Sequence, residues 1–447
     1  MAVAAFRFGF GLPLPAGAPE KTAAMLAMLA GADPVEAAYP PLRLVDVIDA
    51  TRAAHEARAA ARKDPSMMAA YKAATKVVEA LAEAGFRTQI ARALDSPDGL
   101  RERLVRFWAD HFTVAHKNRL DAAVVAAYVD DAIRPHVTAR FQDMLTAATL
   151  HPAMLIYLDQ VASVGPASKF GRRQGKGLNE NLARELLELH TLGAGQGYAQ
   201  GDVRQLAELL TGLRVDPAKG TVFDARRAEP GAETVLGVSY AGDGMDPIRA
   251  VLGDLAMRPE TARHVAGKLV THFLTDAALP EVSAALAKVW TDTGGDLAAV
   301  TGVMLDRSEF WDPAAQKARN PVEFLIAALR ALGMTGADMM AASQKDFRQL
   351  VLAPLAAMGQ PVRGPAGPDG WAEAATDWIT PQGMAARIDW AMRAPRRIRN
   401  DLPDPVALVP QVLGPRATER LIWAVARAES RPEALGLILA APEFNRR

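Results

Sequence analysis

Asn179-Glu180-Asn181-Leu182-Ala183-Arg184-Glu185-Leu186-Leu187-Glu188-Leu189-His190-Thr191-Leu192-Gly193 is the stretch whose reading decides the fold. At 3.6 residues per turn, Leu178, Leu182, Leu186 and Leu189 form an apolar stripe, while Glu180, Arg184 and Glu188 at i, i+4 and i+8 line the strip beside it, flanked by Asn181 and Glu185. Such a helix must bury its leucines against other helices. Arg184 can meet three carboxylates there. Upstream, residues 163–178 read as a glycine-rich basic loop. Downstream, residues 202–213 read as another helix, on Val203, Leu206, Leu209, Leu210 and Leu213.

The same period runs outward in both directions. Alanine, leucine and paired charges predict helices over 20–32, 44–62, 65–84, 87–94, 97–114, 119–134 and 137–150, and His151-Pro152 opens a short helix ending near Asp159. Residues 214–243 lose the period and hold Thr221-Val222-Phe223 and Thr234-Val235-Leu236 between glycines and prolines, which predicts a short β-hairpin. Helices resume at 246–257, 259–274, 280–291 and 295–306, then after the cap-like Asn320 and first-turn Pro321, with Gly333 as a stop. Residues 359–381, with Trp371 and Trp378, read as a long ordered loop or cover, before helices at 382–393, 416–428 and 431–440. The expectation is an all-α, large multi-helix array with at most a short β-hairpin near 214–243. It forms a single helical domain over 1–447, with N-terminal (1–135) and central to C-terminal (136–447) subregions.

Composition removes several function classes. Half of the 447 residues are hydrophobic, enough for a large core. Lysine plus arginine equals aspartate plus glutamate at 51 each, so no global field recruits nucleic acid or an anionic membrane. Without cysteine there is no disulfide, thiolate metal site or cysteine nucleophile. No run of about eighteen uncharged apolar residues predicts a membrane span, and the start lacks the apolar core of an export signal, which by default reads as cytoplasmic. Walker, Gly-x-Ser-x-Gly, Gly-x-Gly-x-x-Gly, His-Glu-x-x-His and EF-hand patterns are missing, so the common hydrolase, dinucleotide and metal classes have no mark here. The sequence names no cofactor.

Candidate site residues are few. His111 lies on the apolar stripe of Leu100, Leu104 and Phe107, so it points inward near Trp108, as a core histidine or as a ligand or general base. Asp159 ends a short helix, where its charge opposes the macrodipole, and it calls for a fixed cationic partner, with Arg184 the candidate. Glu180, Arg184, Glu185 and Glu188 read as a salt-bridged clamp between helices, as a carboxylate site, or as metal ligands. The arginine argues against the last, and no metal site is assigned. Lys169, Arg172, Arg173 and Lys176 beside a helix N-terminus can hold an anion, or be plain solvated loop. His264, Lys268 and His272 share a helix face at four-residue steps, and Arg263 and Lys268 make that face read as solvated.

Four segments together resemble the DUF1800 family of bacterial proteins: Phe107-Trp108-Ala109-Asp110-His111-Phe112, Pro152 to Asp159, the Asn179 stretch, and Gly197 to Gly212. Arg319 to Phe324, Met358-Gly359-Gln360-Pro361, Gly370-Trp371 and Pro442-Glu443-Phe444 follow in the same order. The resemblance implies no defined activity. It does imply frequent export, and frequent encoding beside a family resembling sulfatases and alkaline phosphatases, hence a partner of that kind. The chain departs from the family pattern at Ala228, Glu229 and Glu233, where a histidine and a lysine are usual, and at Ala199, Glu208 and Leu213. Two functional readings follow. One is a helical binding or scaffold protein engaging a protein or polysaccharide partner. The other is a hydrolase or lyase, with or without metal assistance, whose pocket holds His111, Asp159, Glu180, Arg184, Glu185 and Glu188, with Arg184 gripping an anionic substrate.

Overall fold

In the computed structural model, which describes residues 2–19, 21–175, 177–362 and 364–447, helices succeed one another from Ala2–Arg7 to Arg431–Ala440. Local chemistry sets most of their ends. Helices Leu44–Lys63 and Met68–Asp95 form a hairpin whose corner is held by Asp64, which accepts from the Ser66 N–H at 2.9 Å. The second of these helices runs unbroken through the point near residue 85 where two helices were expected. Gly85 serves there for close packing, since a Cβ would come within 2.7 Å of Leu42 Cδ2. Helix Pro321–Ala331 starts and stops as its sequence predicts. Asn320 Oδ1 accepts from the Glu323 N–H at 2.9 Å, and Gly333 turns the chain with φ +79°.

The Asn179 stretch is helical, but its second half changes pitch. Asn181–Glu185 is α-helix and Leu186–His190 is a π-turn. Strand structure is richer than the one hairpin expected. Leu213–Asp216 pairs antiparallel with Gly220–Phe223, and Glu233–Val235 with Val238–Tyr240, so each predicted strand run found a partner a few residues away instead of pairing with the other. Helices Gly336–Ala341 and Pro405–Leu413 were not anticipated, being short and interrupted by glycine, methionine or proline.

Apolar burial falls into two clusters. The first draws on residues from Ala4 to Phe310, the second on Phe10, Val35, Tyr39, Ile90 to Leu94 and then Val322 to Phe444. Helix Met68–Asp95 contributes Val78 to the first and Ile90 and Leu94 to the second, so one rigid element ties them together. Every residue of Pro321–Ala331 is buried, which makes it the central helix of the second cluster. Among the described residues no helix is long and apolar enough to cross a membrane.

Candidate active site

Helix Gly99–His111 crosses the middle of the molecule, with its start fixed by Asp98 Oδ1, which accepts from the Arg101 N–H at 3.0 Å. Glu102, Arg106 and Asp110 recur every four residues and line one side of a cleft of about 1730 Å³. A smaller cavity of about 300 Å³ lies beyond it, walled by Phe107, His111, His264 and Lys268 among others. Asp110, Trp371 and Glu373 line both spaces and so form the partition between them.

Asp110 is held from the far end of the chain. The Trp371 N–H donates to its Oδ1 at 2.9 Å, and Gly370, at φ +86°, lies so close that a Cβ would stand 3.0 Å from each carboxyl oxygen. Thr113 Oγ1 donates to the Asp110 carbonyl at 2.6 Å and pins the helix end beneath it. Burial raises the Asp110 carboxyl to about 7, against the pull of the Trp371 N–H and the Lys268 charge. Burial likewise lowers the Lys268 ammonium below its ordinary value, although Asp110, Glu373 and Asp369 oppose the shift. A carboxyl raised to about 7 at the junction of two cavities can exchange protons with a bound ligand, beside a lysine whose ammonium burial disfavours.

Histidines complete the inner cavity. His111 Nε2 donates to the His190 carbonyl and His264 Nε2 to the Leu189 carbonyl, each at 3.1 Å, so two imidazoles cap the C-terminal end of the Asn179 helix. Carbonyls only accept, which fixes the proton of each ring on Nε2. His111 Nδ1 is therefore a buried lone pair with no donor among the described residues, in a side chain that lines the inner cavity. Burial first, then the Lys268, His190 and His264 charges, keep His111 neutral well below its ordinary value.

Beneath the partition runs a buried chain of charges. Arg103 donates to Glu323 and, at 3.1 Å, to His272 Nε2, whose Nδ1 donates to Glu373 Oε1 at 2.5 Å. Lys317 Nζ joins Glu373 at 2.9 Å to Asp276 at 2.7 Å, and Arg447 closes on Glu323 at 2.7 Å. Glu373 is pushed far below the usual carboxylate range despite its burial, chiefly by His272 and Lys317, so it stays ionised. Its carboxylate locks the loop after Trp371 onto the helical body. The segment Gly370 to Glu373 thus covers the helical body as expected, and the short helix Ala375–Trp378 follows it.

The predicted site residues do not converge on one pocket. Of His111, Asp159, Glu180, Arg184, Glu185 and Glu188, only His111 lines either cavity. His111 meets the C-terminal end of the Asn179 helix, whereas the Asp159 carbonyl accepts from Asn179 Nδ2 at 3.4 Å at the other end, roughly 16 Å away at 1.5 Å per residue. The cationic partner of Asp159 is Lys117, at 2.6 Å, and not Arg184, which is engaged by Glu180 and Glu188. Arg184 pairs with Glu180 at 3.4 Å, with Glu188 at 3.1 Å and with Gln200 Oε1 at 3.0 Å, on a half-exposed face. Glu185 is half-buried and raised by burial, then by Glu188. Lys169, Arg172 and Arg173 are exposed on the short helix Lys169–Gln174, capped by Ser168, while Lys176 lies outside the described residues.

The face of His264, Lys268 and His272 is a correction. His264 and Lys268 wall the small cavity and His272 lines the large cleft, so the face is not a solvated surface; Arg263, about 100° further round the helix, takes the outward position. Sequence reasoning also passed over Asp110, Lys268 and Glu373 as site residues. The four-residue recurrence of Glu102, Arg106 and Asp110 was a readable signal for the first, whereas Glu373 lies in an aperiodic loop and had none. The departures from Ala228 to Glu233 line neither cavity. Glu229 accepts from the Ala167 N–H at 2.9 Å, and Glu233 opens a strand.

Fold and site thus define a mostly helical protein with a carboxyl, amine and imidazole cluster set between two cavities. The chain belongs to the DUF1800 family, described as proteins of unknown function, whose model matches residues 6–446. No curated protein and no solved structure matches it.

Proposed function

We propose that the protein is an acid–base enzyme of the hydrolase or lyase type, with Asp110 as its proton-transfer group. The observation that carries this reading is the Asp110 carboxyl itself: raised to about 7, held through one oxygen by the Trp371 N–H, and facing both the cleft and the inner cavity. A group titrating near neutral pH, fixed by backbone and reached from an open cleft, is what general-base catalysis needs. In its ionised form Asp110 takes a proton from the substrate or from an attacking water. Lys268 then stands near enough to stabilise the negative charge that develops, and the His111 Nδ1 lone pair accepts a hydrogen bond from the bound group. Arg184 and its acids supply stiffness to the helix that the two imidazoles cap, and take no part in the chemistry.

A second reading keeps the binding or scaffold role, with a polysaccharide or a sulfatase- or phosphatase-like protein as partner. Its support is the size of the cleft. About 1730 Å³ exceeds the roughly 300–1,000 Å³ of ordinary small-molecule sites and suits an extended chain. One experiment separates the two readings: a panel of chromogenic esters, glycosides, and phosphate and sulfate esters, each assayed with wild type and Asp110→Asn. Turnover lost at least a hundredfold in a variant that melts no lower than wild type supports the enzyme. Turnover equal in both proteins removes Asp110 from the chemistry, and binding without any turnover favours the scaffold.

A further inference from the structure

The charges lining the large cleft do not cancel locally. Its acids are taken: Glu79 by Arg119, Glu83 by Arg87 at 2.8 Å, Glu102 by Arg134 at 2.7 Å, Glu323 by Arg103 and Arg447, and Glu373 by Lys317 and His272. Asp110 is the exception, and at about 7 it is half protonated near neutral pH. Among the lining cations, Lys76, Arg106, Lys345 and Arg348 make no ion pair or hydrogen bond among the described residues. Three of these are exposed at the rim. Arg106 is the half-buried one, 5.8 Å from the Phe10 ring centre and within electrostatic reach of Glu102 and Glu323, each already bound to other arginines.

Two amides stand with it. Gln360 is 6% exposed, and its Oε1 accepts from the Val322 N–H at 2.9 Å; Asn320 Oδ1 accepts from the Glu323 N–H at 2.9 Å. Because those partners are donors, the oxygens are assigned by the network, and the NH₂ group of each amide is the end left over. Both NH₂ groups lack a protein acceptor among the described residues, and both residues line the cleft. Gln360 and Asn320 hold the consecutive N–H groups of Val322 and Glu323, and Glu323 is within electrostatic reach of Arg106, which sets the three on one stretch of cleft wall. A guanidinium without a counter-ion of its own beside two amide donors is a receptor for an oxyanion.

We propose that Arg106, Asn320 and Gln360 form a subsite in the large cleft for an anionic group of the ligand, a carboxylate, sulfate or phosphate. The subsite deepens the enzyme reading and, in placing the ligand, rests on it. Arg106 and Asp110 are one helical turn apart on the same face, so an anion on Arg106 brings the next part of the ligand against Asp110. The anion-holding role assigned by sequence to Arg184 thereby passes to Arg106.

The test is titration of the full chain with acetate, sulfate and inorganic phosphate, followed by the side-chain amide NMR signals of Asn320 and Gln360 and by melting temperature. At least one of the anions is expected to move both amide signals and raise the melting temperature, and the anion that does so names the group. Arg106→Gln should weaken that binding at least tenfold. Gln360→Glu keeps the acceptor for the Val322 N–H while replacing the NH₂ donor by a carboxylate oxygen, so it should abolish binding without unfolding the protein. Asp110→Asn, which removes a nearby negative charge, should bind the anion at least as well as wild type, which separates this subsite from the proposed chemistry. Amide signals unmoved by all three anions, or equal binding by wild type and Gln360→Glu, would overturn the proposal.

Discussion

The backbone N–H of Trp371 donates to Asp110 Oδ1 at 2.9 Å across 261 residues of chain, and in doing so joins the two halves of the site. Asp110 comes from a helix of the first apolar cluster. Trp371 comes from the loop that the ionised Glu373 fastens to His272 and Lys317. The carboxyl that titrates near neutrality is thus positioned by a loop far from it in sequence.

Asp110→Asn should stabilise the protein above neutral pH. The folded-state value, about 7, is raised above the unfolded one near 4. The stability this carboxyl contributes is therefore fully present below pH 4 and is lost as pH rises through 7. The variant keeps the oxygen that accepts from Trp371 and has no proton to lose. Its stability should match wild type near pH 4 and exceed it increasingly up to pH 7 to 8, by an amount on the order of 3 kcal/mol or less, seen as a widening gap in melting temperature. Any turnover by wild type should rise through the same range, since the base must be ionised. Equal melting curves for the two proteins at pH 4 and pH 8 would remove the burial argument.

Gly370→Ala adds a Cβ at φ +86° that meets the Asp110 carbonyl at 2.8 Å and both carboxyl oxygens at 3.0 Å. Strain and displacement of the loop should cost about 1–3 kcal/mol. The loss should be visible in chemical denaturation and accompanied by a drop in the Asp110 titration midpoint as water enters.

Glu323 ties Arg103 to Arg447 with all three side chains buried. Glu323→Gln leaves two buried guanidinium groups without their counter-charge and should destabilise the fold by roughly 3–5 kcal/mol at pH 7. The Glu323 carboxyl is lowered to about 2, with the Arg103 and Arg447 charges outweighing burial. Its contribution is therefore present above the unfolded value of 4.5 and lost as pH falls through about 2. The gap between wild type and variant should accordingly shrink on acidification below pH 4.5, as followed by denaturant titration.

Arg184→Ala should cost about 1 kcal/mol or less, because its ion pairs with Glu180 and Glu188 are solvated, with side-chain exposures of 39%, 34% and 24%. A loss of several kcal/mol in thermal melts would mean that the cluster is far less hydrated than its exposure implies.

The helical class was legible from residue spacing, as were the Asn320 cap and Gly333 stop of Pro321–Ala331 and the i, i+4 partners of Arg184. These features depend on neighbours within one or two turns, which a period of 3.6 specifies without knowledge of the rest of the chain. The inward tilt of His111 was legible for the same reason. Spacing alone did not tell which face of Pro259–Phe273 turns inward, since lysine and arginine on a helix read as solvent-facing until a packed neighbour claims one side. Nor did it pair Asp159 with Lys117, carry the Trp371 N–H to Asp110, or leave Arg106 as the uncompensated charge in the cleft. Those relationships join residues tens to hundreds of positions apart. They depend on which apolar surfaces dock and how much water that docking removes from a carboxyl, a balance that only the assembled core decides.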